Sequence, residues 1–170
     1  MAYIPSLIDY KPFYIQTDVD DVAIDTTTWG LVAKTNPFPA LPTPKEPYKN
    51  DWHDENGDDE YVDQMFFKSM DFSVSFYIKT FATETQTAEA VLRSQLDSFF
   101  AKIGKGEFMI YDSYSGLGRR KVRYAGFDSE EYKRMYVSGK DWARSIFTIK
   151  FKANDPVTRI VYQNGKLVEE

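Results

Sequence analysis

The sequence has no cysteine and a single histidine among its 170 residues. The absence of cysteine excludes disulfides and thiolate metal sites, and it leaves the redox compartment undetermined. No uninterrupted apolar run approaches the ~20 residues that a membrane-spanning helix needs, so we expect no membrane span. The N-terminus, MAYIPSLIDYKPF, lacks a basic region followed by an apolar stretch and does not match a secretory signal. We therefore expect a soluble protein that is made in the cytoplasm.

Positive charge is also scarce, because 21 Lys and Arg stand against 26 Asp and Glu, which gives a net charge of −5. This balance argues against a general nucleic-acid-binding protein. Aromatic residues, in contrast, make up 16% of the chain. Since aromatic side chains favour pleated sheets and contribute strongly to interfaces, the composition predicts a β-rich protein that associates with a partner.

One strand and one helix are clearly patterned. In DFSVSFYIKT, apolar residues alternate with polar ones from Phe72 to Ile78, which predicts a strand with one buried face. The next stretch, ETQTAEAVLRSQLDSFFAKIG, has apolar residues at helical spacing. Thr83 and Gln86 suit a capping box, and Gly104 suits the helix end after Lys102. We predict a helix over about 84–103, which at ~1.5 Å per residue is long enough to cross a sheet.

Shorter β-like segments surround these two elements. They are predicted at 13–15, 22–24, 29–33, 107–112, 120–127 and 145–152, with a further hairpin turning at Ser138-Gly139. The C-terminal RIVYQNGKLV predicts a hairpin that turns at Asn164-Gly165. The order of elements predicts an α+β domain: an antiparallel sheet or split β-barrel carrying one long helix. We assign a single domain to 1–157 and a hairpin tail to 158–170.

An unusual extended segment covers residues 36–63. Five of the eight prolines lie between Pro37 and Pro47, and proline lacks a hydrogen-bond donor, so this part is expected to be extended rather than helical or a central strand. The acidic stretch DWHDENGDDEYVD (51–63) is expected to be a solvated loop with a turn at Asn56-Gly57. A partner protein is a candidate to dock on this segment.

The acidic stretch does not match a calcium loop. Aligning Gly57 with the invariant glycine of an EF-hand places Asp54 and Asn56 at ligand positions, but it places Trp52 at the first one, where an indole cannot ligate. The twelfth position holds Asp63 instead of a bidentate glutamate. The isolated His53 cannot form a metal triad or, in an exposed loop, a tuned base. We predict no metal site, no cofactor and no catalytic residue, and hence not an enzyme.

The most basic run is YSGLGRRKVRY (114–124). It does not match a phosphate-binding loop, because G-x-x-x-x-G-K-[ST] is missing. Three interpretations remain: a nucleic-acid surface with Tyr111, Tyr114 and Tyr124, a solvated charged face, or one side of a head-to-tail subunit joint. In the joint, the acidic loop of one copy would contact the basic strand of the next. The candidate interface residues are Trp52, Asp54, Glu55, Asp58, Asp59, Arg119, Arg120, Lys121 and Arg123.

Several of these stretches together resemble the N-terminal domain of the distal tail protein family of long-tailed bacteriophages. The matching pieces are DTTTWGLVAKT, the acidic DENGDDEYVD, FKSMDFSVSFYIKT, the helix, GEFMIYDSYSGLGRRKVRYAGF and RSIFTIKFKANDP, which cover most of 22–157. The resemblance implies a split barrel that forms a ring, commonly hexameric, at the tip of the tail tube. Such a ring links the tube to the baseplate or fibre hub, has no catalytic activity, and lets DNA pass through its lumen.

The resemblance also has alternatives and departures. A tail-tube or tail-completion role belongs to the same class, and a small nucleic-acid-binding module belongs to a different one. Larger family members carry a second, carbohydrate-binding-like domain after the final "DP", whereas 14 residues follow Pro156 here. We therefore expect no receptor binding by this chain. The expected localisation is the virion tail, with the bacterial cytoplasm during assembly.

Overall fold

A computed structural model describes residues 12–18, 20, 22–34, 41–51, 58–61, 63–137 and 139–170. Their elements, in chain order, are β1 Phe13–Thr17, β2 Ile24–Asp25, a 3-10 turn at Thr26–Trp29, β3 Leu31–Ala33, β4 Lys49–Asp51, β5 Asp58–Glu60, β6 Met70–Phe81, α1 Ala88–Ile103, β7 Phe108–Asp112, β8 Leu117–Val137, β9 Lys140–Ala153, β10 Ile160–Gln163 and β11 Lys166–Glu169. Within these described ranges, no helix is both long enough and apolar enough to cross a membrane.

Seven of the strands form one sheet in the order β2-β1-β7-β8-β9-β6-β3, and every neighbouring pair is antiparallel. The sheet curves into a half-barrel with α1 packed against it. β10 and β11 form a separate two-stranded sheet, as do β4 and β5. The predicted α+β class, with an antiparallel sheet, one long helix and a C-terminal hairpin, is confirmed.

The core lies between the concave face of the sheet and α1. In β6 every second residue from Met70 to Thr80 is buried, as the alternating pattern predicted. Phe76 is at the centre, because its ring lies 5.8 Å from Phe13, 5.7 Å from Phe99 on α1 and 6.0 Å from Phe147 on β9. Aromatic contacts at these separations stabilise beyond the burial of their area, so this cluster joins helix and sheet.

The helix ends as predicted but begins later than 84. Thr87 is the N-cap, and its hydroxyl accepts a hydrogen bond from the Ala90 amide at 3.2 Å. The predicted pair, Thr83 and Gln86, forms a separate turn before it. Ala88 is fully buried, and its carbonyl accepts a hydrogen bond from the Thr80 hydroxyl at 2.6 Å. Packing against β6 therefore sets the start of the helix, and a local capping pattern cannot reveal such a contact.

The strands predicted at 120–127 and 145–152 and the hairpin predicted between them form a single long hairpin. β8 and β9 pair from Val122↔Ala153 up to Val137↔Lys140, and Gly139 in the turn has a φ of 81°. Register shifts at 124–126 and 129–131 interrupt the alternation of β8. Because a bulge moves side chains from one face to the other, the apolar pattern in the sequence breaks off within a continuous strand.

The C-terminal hairpin turns at Asn164-Gly165 as predicted, with φ values of 52° and 81° that suit a type I′ turn. Ile160 and Leu167 are buried beneath it, and the Leu167 amide donates to Oε1 of Gln16 on β1 at 2.7 Å. The hairpin thus packs on the β1 side of the main sheet. The division of the chain into a domain at 1–157 and a tail at 158–170 stays a prediction.

We predict that Phe99→Ala lowers the free energy of unfolding by about 3–5 kcal/mol, because it removes a buried ring that contacts Trp29 and Phe76. Phe100→Ala is the matched control, since that ring is 51% exposed and meets Tyr124 edge-on. The control is expected to lose about 1 kcal/mol. Urea denaturation followed by circular dichroism measures both, and equal losses would contradict the placement of α1.

Candidate functional site

The basic run 114–124 forms the turn between β7 and β8 and the start of β8. The Asp112 carboxylate organises the turn, because it accepts hydrogen bonds from the Tyr114 amide at 3.1 Å and the Ser115 hydroxyl at 2.8 Å. Gly116 supplies the left-handed residue, with a φ of 69°. Gly118 lies so close to the next layer that an added Cβ would be 2.6 Å from the Ile160 carbonyl oxygen. Gly116 therefore allows the turn, and Gly118 allows the C-terminal hairpin to pack closely on β8.

Arg119 is only 3% exposed, although the sequence predicted an interface residue at this position. Its Nη1 donates to the Gly118 carbonyl at 2.8 Å, and its Nε has no hydrogen-bond partner among the described residues. Burial, and secondly the nearby positive charge of Arg159, lower the pKa of Arg119. In this conformation the guanidinium cannot meet a partner protein.

Arg120 is engaged within its own chain. Its guanidinium forms ion pairs with Asp155, which follows β9, and with Glu169 on β11. Burial by itself raises the pKa of Asp155, but hydrogen bonds from Arg120, Thr158 and Val157 outweigh it and hold the pKa at about 2. Arg120 thus ties the start of β8 to the C-terminal hairpin.

The other two basic residues, Lys121 and Arg123, are exposed on one face of β8, as predicted. On the opposite face, Val122 is buried, and Tyr124 meets Phe100 at 5.2 Å. Lys121 has a φ of 50° at the bulge in the pairing with β7. Of the residues predicted on the acidic-loop side of the joint, Trp52, Asp54 and Glu55 lie outside the described residues. Asp58 and Asp59 lie on β5. The predicted joint between these two sets stays a prediction.

The same geometry weakens the nucleic-acid interpretation of this run. One of its four cations is buried and another is paired with two carboxylates. Phosphate binding depends on the number of accessible cations, so the run retains about half of its capacity. Among the described residues, no group of three or more Asp, Glu or His could hold a metal ion. His53 lies outside them.

A second surface is a two-stranded extension that we call the acidic arm and define as the described residues 43–51, 58–61 and 63–68. Its base is a short ladder, in which the Lys68 amide donates to the Thr43 carbonyl and the Lys45 amide donates to the Phe66 carbonyl. β4 and β5 pair farther along it. The sequence predicted a solvated loop here, and the structure corrects this for the residues that form β4 and β5. These short strands, KND and DDE, do not alternate apolar with polar residues, so the sequence does not indicate them as strands.

The arm exposes large apolar side chains. The exposed fractions lie between 59% and 73% for four of them: Tyr48, Tyr61, Met65 and Phe66. The two tyrosine rings are 5.9 Å apart. Exposed clusters of this kind mark interaction surfaces more often than scattered single residues do.

A third surface is the edge of β8. Within the described residues, β7 pairs with β8 only over 117–122, and no strand pairs with the rest of that edge up to Val137. Three exposed rings lie along this open part: Phe127, Tyr132 and Tyr136. An exposed strand edge presents unpaired amides and carbonyls that a second chain can extend. The sequence did not reveal this edge, because the length of β7 relative to β8 depends on tertiary pairing.

The chain matches no protein-family model and no curated protein. Among solved structures, its fold is similar to that of the Dit protein (gp 19.1) of bacteriophage SPP1, with a TM-score of 0.55 and 14% sequence identity. That protein is described as a paradigm of the hub adsorption apparatus in phages that infect Gram-positive bacteria. The similarity covers 88% of this chain and 52% of the Dit chain, so this chain spans about half of that protein. At this identity the comparison shows a shared fold, the fold of a phage tail protein.

We predict that Asp155→Asn destabilises the protein at neutral pH and that the difference disappears in acid. The folded pKa of about 2 lies below the usual 3.8, so the carboxylate contributes stability above pH 3.8 and loses it as pH falls towards 2. The contribution is at most about 2 kcal/mol. Denaturant unfolding between about pH 7 and about pH 2 measures it. Asp128→Asn, which breaks an exposed pair with Lys150, is the control and should show little pH-dependent difference.

We predict that Arg119→Met leaves the free energy of unfolding unchanged or raises it by about 1–2 kcal/mol. Methionine fills a similar volume, and it removes both the buried charge and the Nε that lacks a hydrogen-bond partner among the described residues. Arg119→Glu should be destabilising by several kcal/mol, because it buries a carboxylate. Thermal unfolding of the three proteins is the measurement. A clear loss of stability in the methionine variant would show that the guanidinium supports the fold.

Proposed function

We propose that this protein is a non-enzymatic structural component of a phage or prophage tail. It forms a ring at the tail tip that connects the tail tube to the baseplate or fibre hub. The fold shared with the SPP1 Dit protein supports this proposal, and the observation that carries it is the open edge of β8. An enzyme would need convergent reactive groups in a dry pocket, whereas this edge requires only another chain.

The geometry of the edge suits a ring. β8 lies inside the sheet at its start, and from 123 onwards no other described part of the chain pairs with this edge, so it presents a strand that a second chain can extend. Contacts between this surface and a different surface of the next copy are heterologous, and heterologous contacts close into rings when the rotation allows it. A hexamer is the expected size, by resemblance to the distal tail family.

The partners of such a ring are other tail proteins, namely the tube on one side and the hub or fibre on the other. DNA is a transient cargo of the lumen rather than a ligand. The proposed localisation is the virion tail, reached by assembly in the bacterial cytoplasm. A tail-tube or tail-completion protein is the neighbouring alternative, and it differs in stacking many rings instead of one.

We expect the purified protein at high micromolar concentration to form closed rings, with about six times the mass of one chain. Light scattering after gel filtration gives the mass, and negative-stain microscopy gives the shape. A double variant, Tyr136→Glu with Val137→Glu, should remain folded and monomeric, because both side chains are exposed and the change places charges on the open part of β8.

Tyr114→Glu is the matched control, since Tyr114 is also an exposed ring, at 76%, but lies in the β7–β8 turn. It should assemble like the wild type. Long tubes instead of single rings would favour the tail-tube alternative. A strictly monomeric wild-type protein that also forms no rings with tail-tube or hub proteins would overturn the proposal.

A further inference from the structure

The C-terminal hairpin, formed by β10 and β11, has very little backbone pairing with the main sheet. β10 pairs with β11, and within the described part of the chain a single β-bridge, Arg119↔Arg159, connects the start of the hairpin to β8. An isolated two-stranded hairpin is at best marginally stable in water. The position of this hairpin therefore depends mainly on the contacts that its side chains make with the sheet.

These contacts are few and lie apart from the main core. Ile160 and Leu167 are buried, yet neither belongs to the hydrophobic cluster between the sheet and α1. The Tyr162 ring stacks on that of Tyr14 on β1, with 4.3 Å between the ring centres. Gln16 on β1 accepts the hydrogen bond from the Leu167 amide. Elements that are held by few buried apolar contacts open with a smaller free energy than the core, so these contacts favour local opening of the hairpin.

The closed hairpin also buries a charge. Arg119 lies beneath the chain that leads into β10, because its backbone bridges that of Arg159 and its side chain is 3% exposed. Besides burial, the charges that affect the pKa of Arg119 are those of Arg159 and Asp155, and both residues precede β10. No carboxylate among the described residues bonds the Arg119 guanidinium. A buried charge without an ionic partner is costly, and opening of the hairpin returns it to water.

The connection between β9 and β10 suits a hinge. The Asn154 amide donates to the Lys121 carbonyl at 2.9 Å, which holds the end of β9 on β8. Directly after it, the Asp155 carboxylate accepts hydrogen bonds from the Thr158 amide at 3.1 Å and the Thr158 hydroxyl at 2.9 Å. These bonds are local to the turn, so they do not hold β10 and β11 on the sheet. The hinge accordingly lies after Thr158, between this turn and β10.

We propose that the C-terminal hairpin is a cover that opens as a unit while the main sheet stays folded, and that its closed position masks Arg119. Opening separates Glu169 of β11 from Arg120 and exposes Arg119 to solvent. Lys121 and Arg123 are exposed already in the closed state. The open state therefore adds Arg119 to the accessible cations of the basic run, and attraction to an anionic partner rises with their number. The hairpin is in this way an autoinhibitory contact that regulates the basic run.

Native-state hydrogen exchange with a matched pair of substitutions tests the opening. Ile78 on β6 and Ile160 on β10 are both fully buried, and Ile→Val at either site should accelerate the affected amides about fivefold. Ile78→Val weakens the main core, which stays formed when the hairpin opens, so the slowest amides of β6 and β9 should exchange faster and the hairpin amides should not. Ile160→Val weakens only the closed state, so both sets of amides should accelerate alike.

In the wild type, the hairpin amides should exchange at least tenfold faster than the slowest amides of β6 and β9. Equal acceleration of both sets by Ile78→Val would show that the hairpin opens only when the whole protein unfolds, and it would overturn the cover. Hairpin amides that are as slow as those of β6 and β9 in the wild type would do the same.

Arginine labelling tests the masking. Phenylglyoxal reacts with accessible guanidinium groups, and peptide mass spectrometry locates the product. Arg119 should react at least tenfold more slowly than Arg123, which is exposed. Ile160→Val should accelerate the labelling of Arg119 by the same factor as the exchange of the hairpin amides and leave that of Arg123 unchanged. Labelling of Arg119 as fast as that of Arg123, or its acceleration by Ile78→Val, would overturn the masking.

The cover and the ring are tested separately, because exchange and labelling report on the fold of each copy. The same results are expected in the monomeric variant Tyr136→Glu with Val137→Glu. Rings whose hairpins open only with global unfolding would overturn the cover and leave the proposed function intact. An opening hairpin in a protein that forms no ring would support the cover and overturn the ring.

Discussion

The pairing of β6 with β9 is the interaction on which the rest of the structure depends. It joins 12 consecutive residue pairs, from Met70↔Ala153 to Phe81↔Trp142, without a bulge. Its concave side supplies the rings that receive α1. A slip of one residue would turn these rings to solvent and place Lys79 in the core, so burial holds the register. β8 extends this pair on one side and β3 on the other.

The same register arranges the convex face. Because successive side chains alternate between faces, a pairing fixed by the buried rings also aligns Lys79, Arg144 and Lys133 across three strands. The fold therefore brings together cations that are far apart in the chain. The arrangement of charges on this face is in this sense a consequence of core packing.

Much of the fold could be predicted, and the failures have identifiable causes. The alternation of β6, the end of α1 at Gly104 and the turn at Asn164-Gly165 are local signals, and the structure has all three. The start of α1 depends on contacts of Ala88 with β6, and the length of β8 is hidden by its bulges. In the basic run, Arg119, Arg120, Lys121 and Arg123 were all candidate interface residues, yet Arg119 is buried and Arg120 is paired with carboxylates.

The sequence by itself determined the class of fold, the absence of disulfides and the concentration of acid in one segment, because composition and local periodicity are properties of the chain alone. Only the tertiary structure decided which cations remain accessible and which strand edge stays open. These depend on pairing between residues that are distant in sequence. If the same strands paired in another register, the same charged residues would form a different surface.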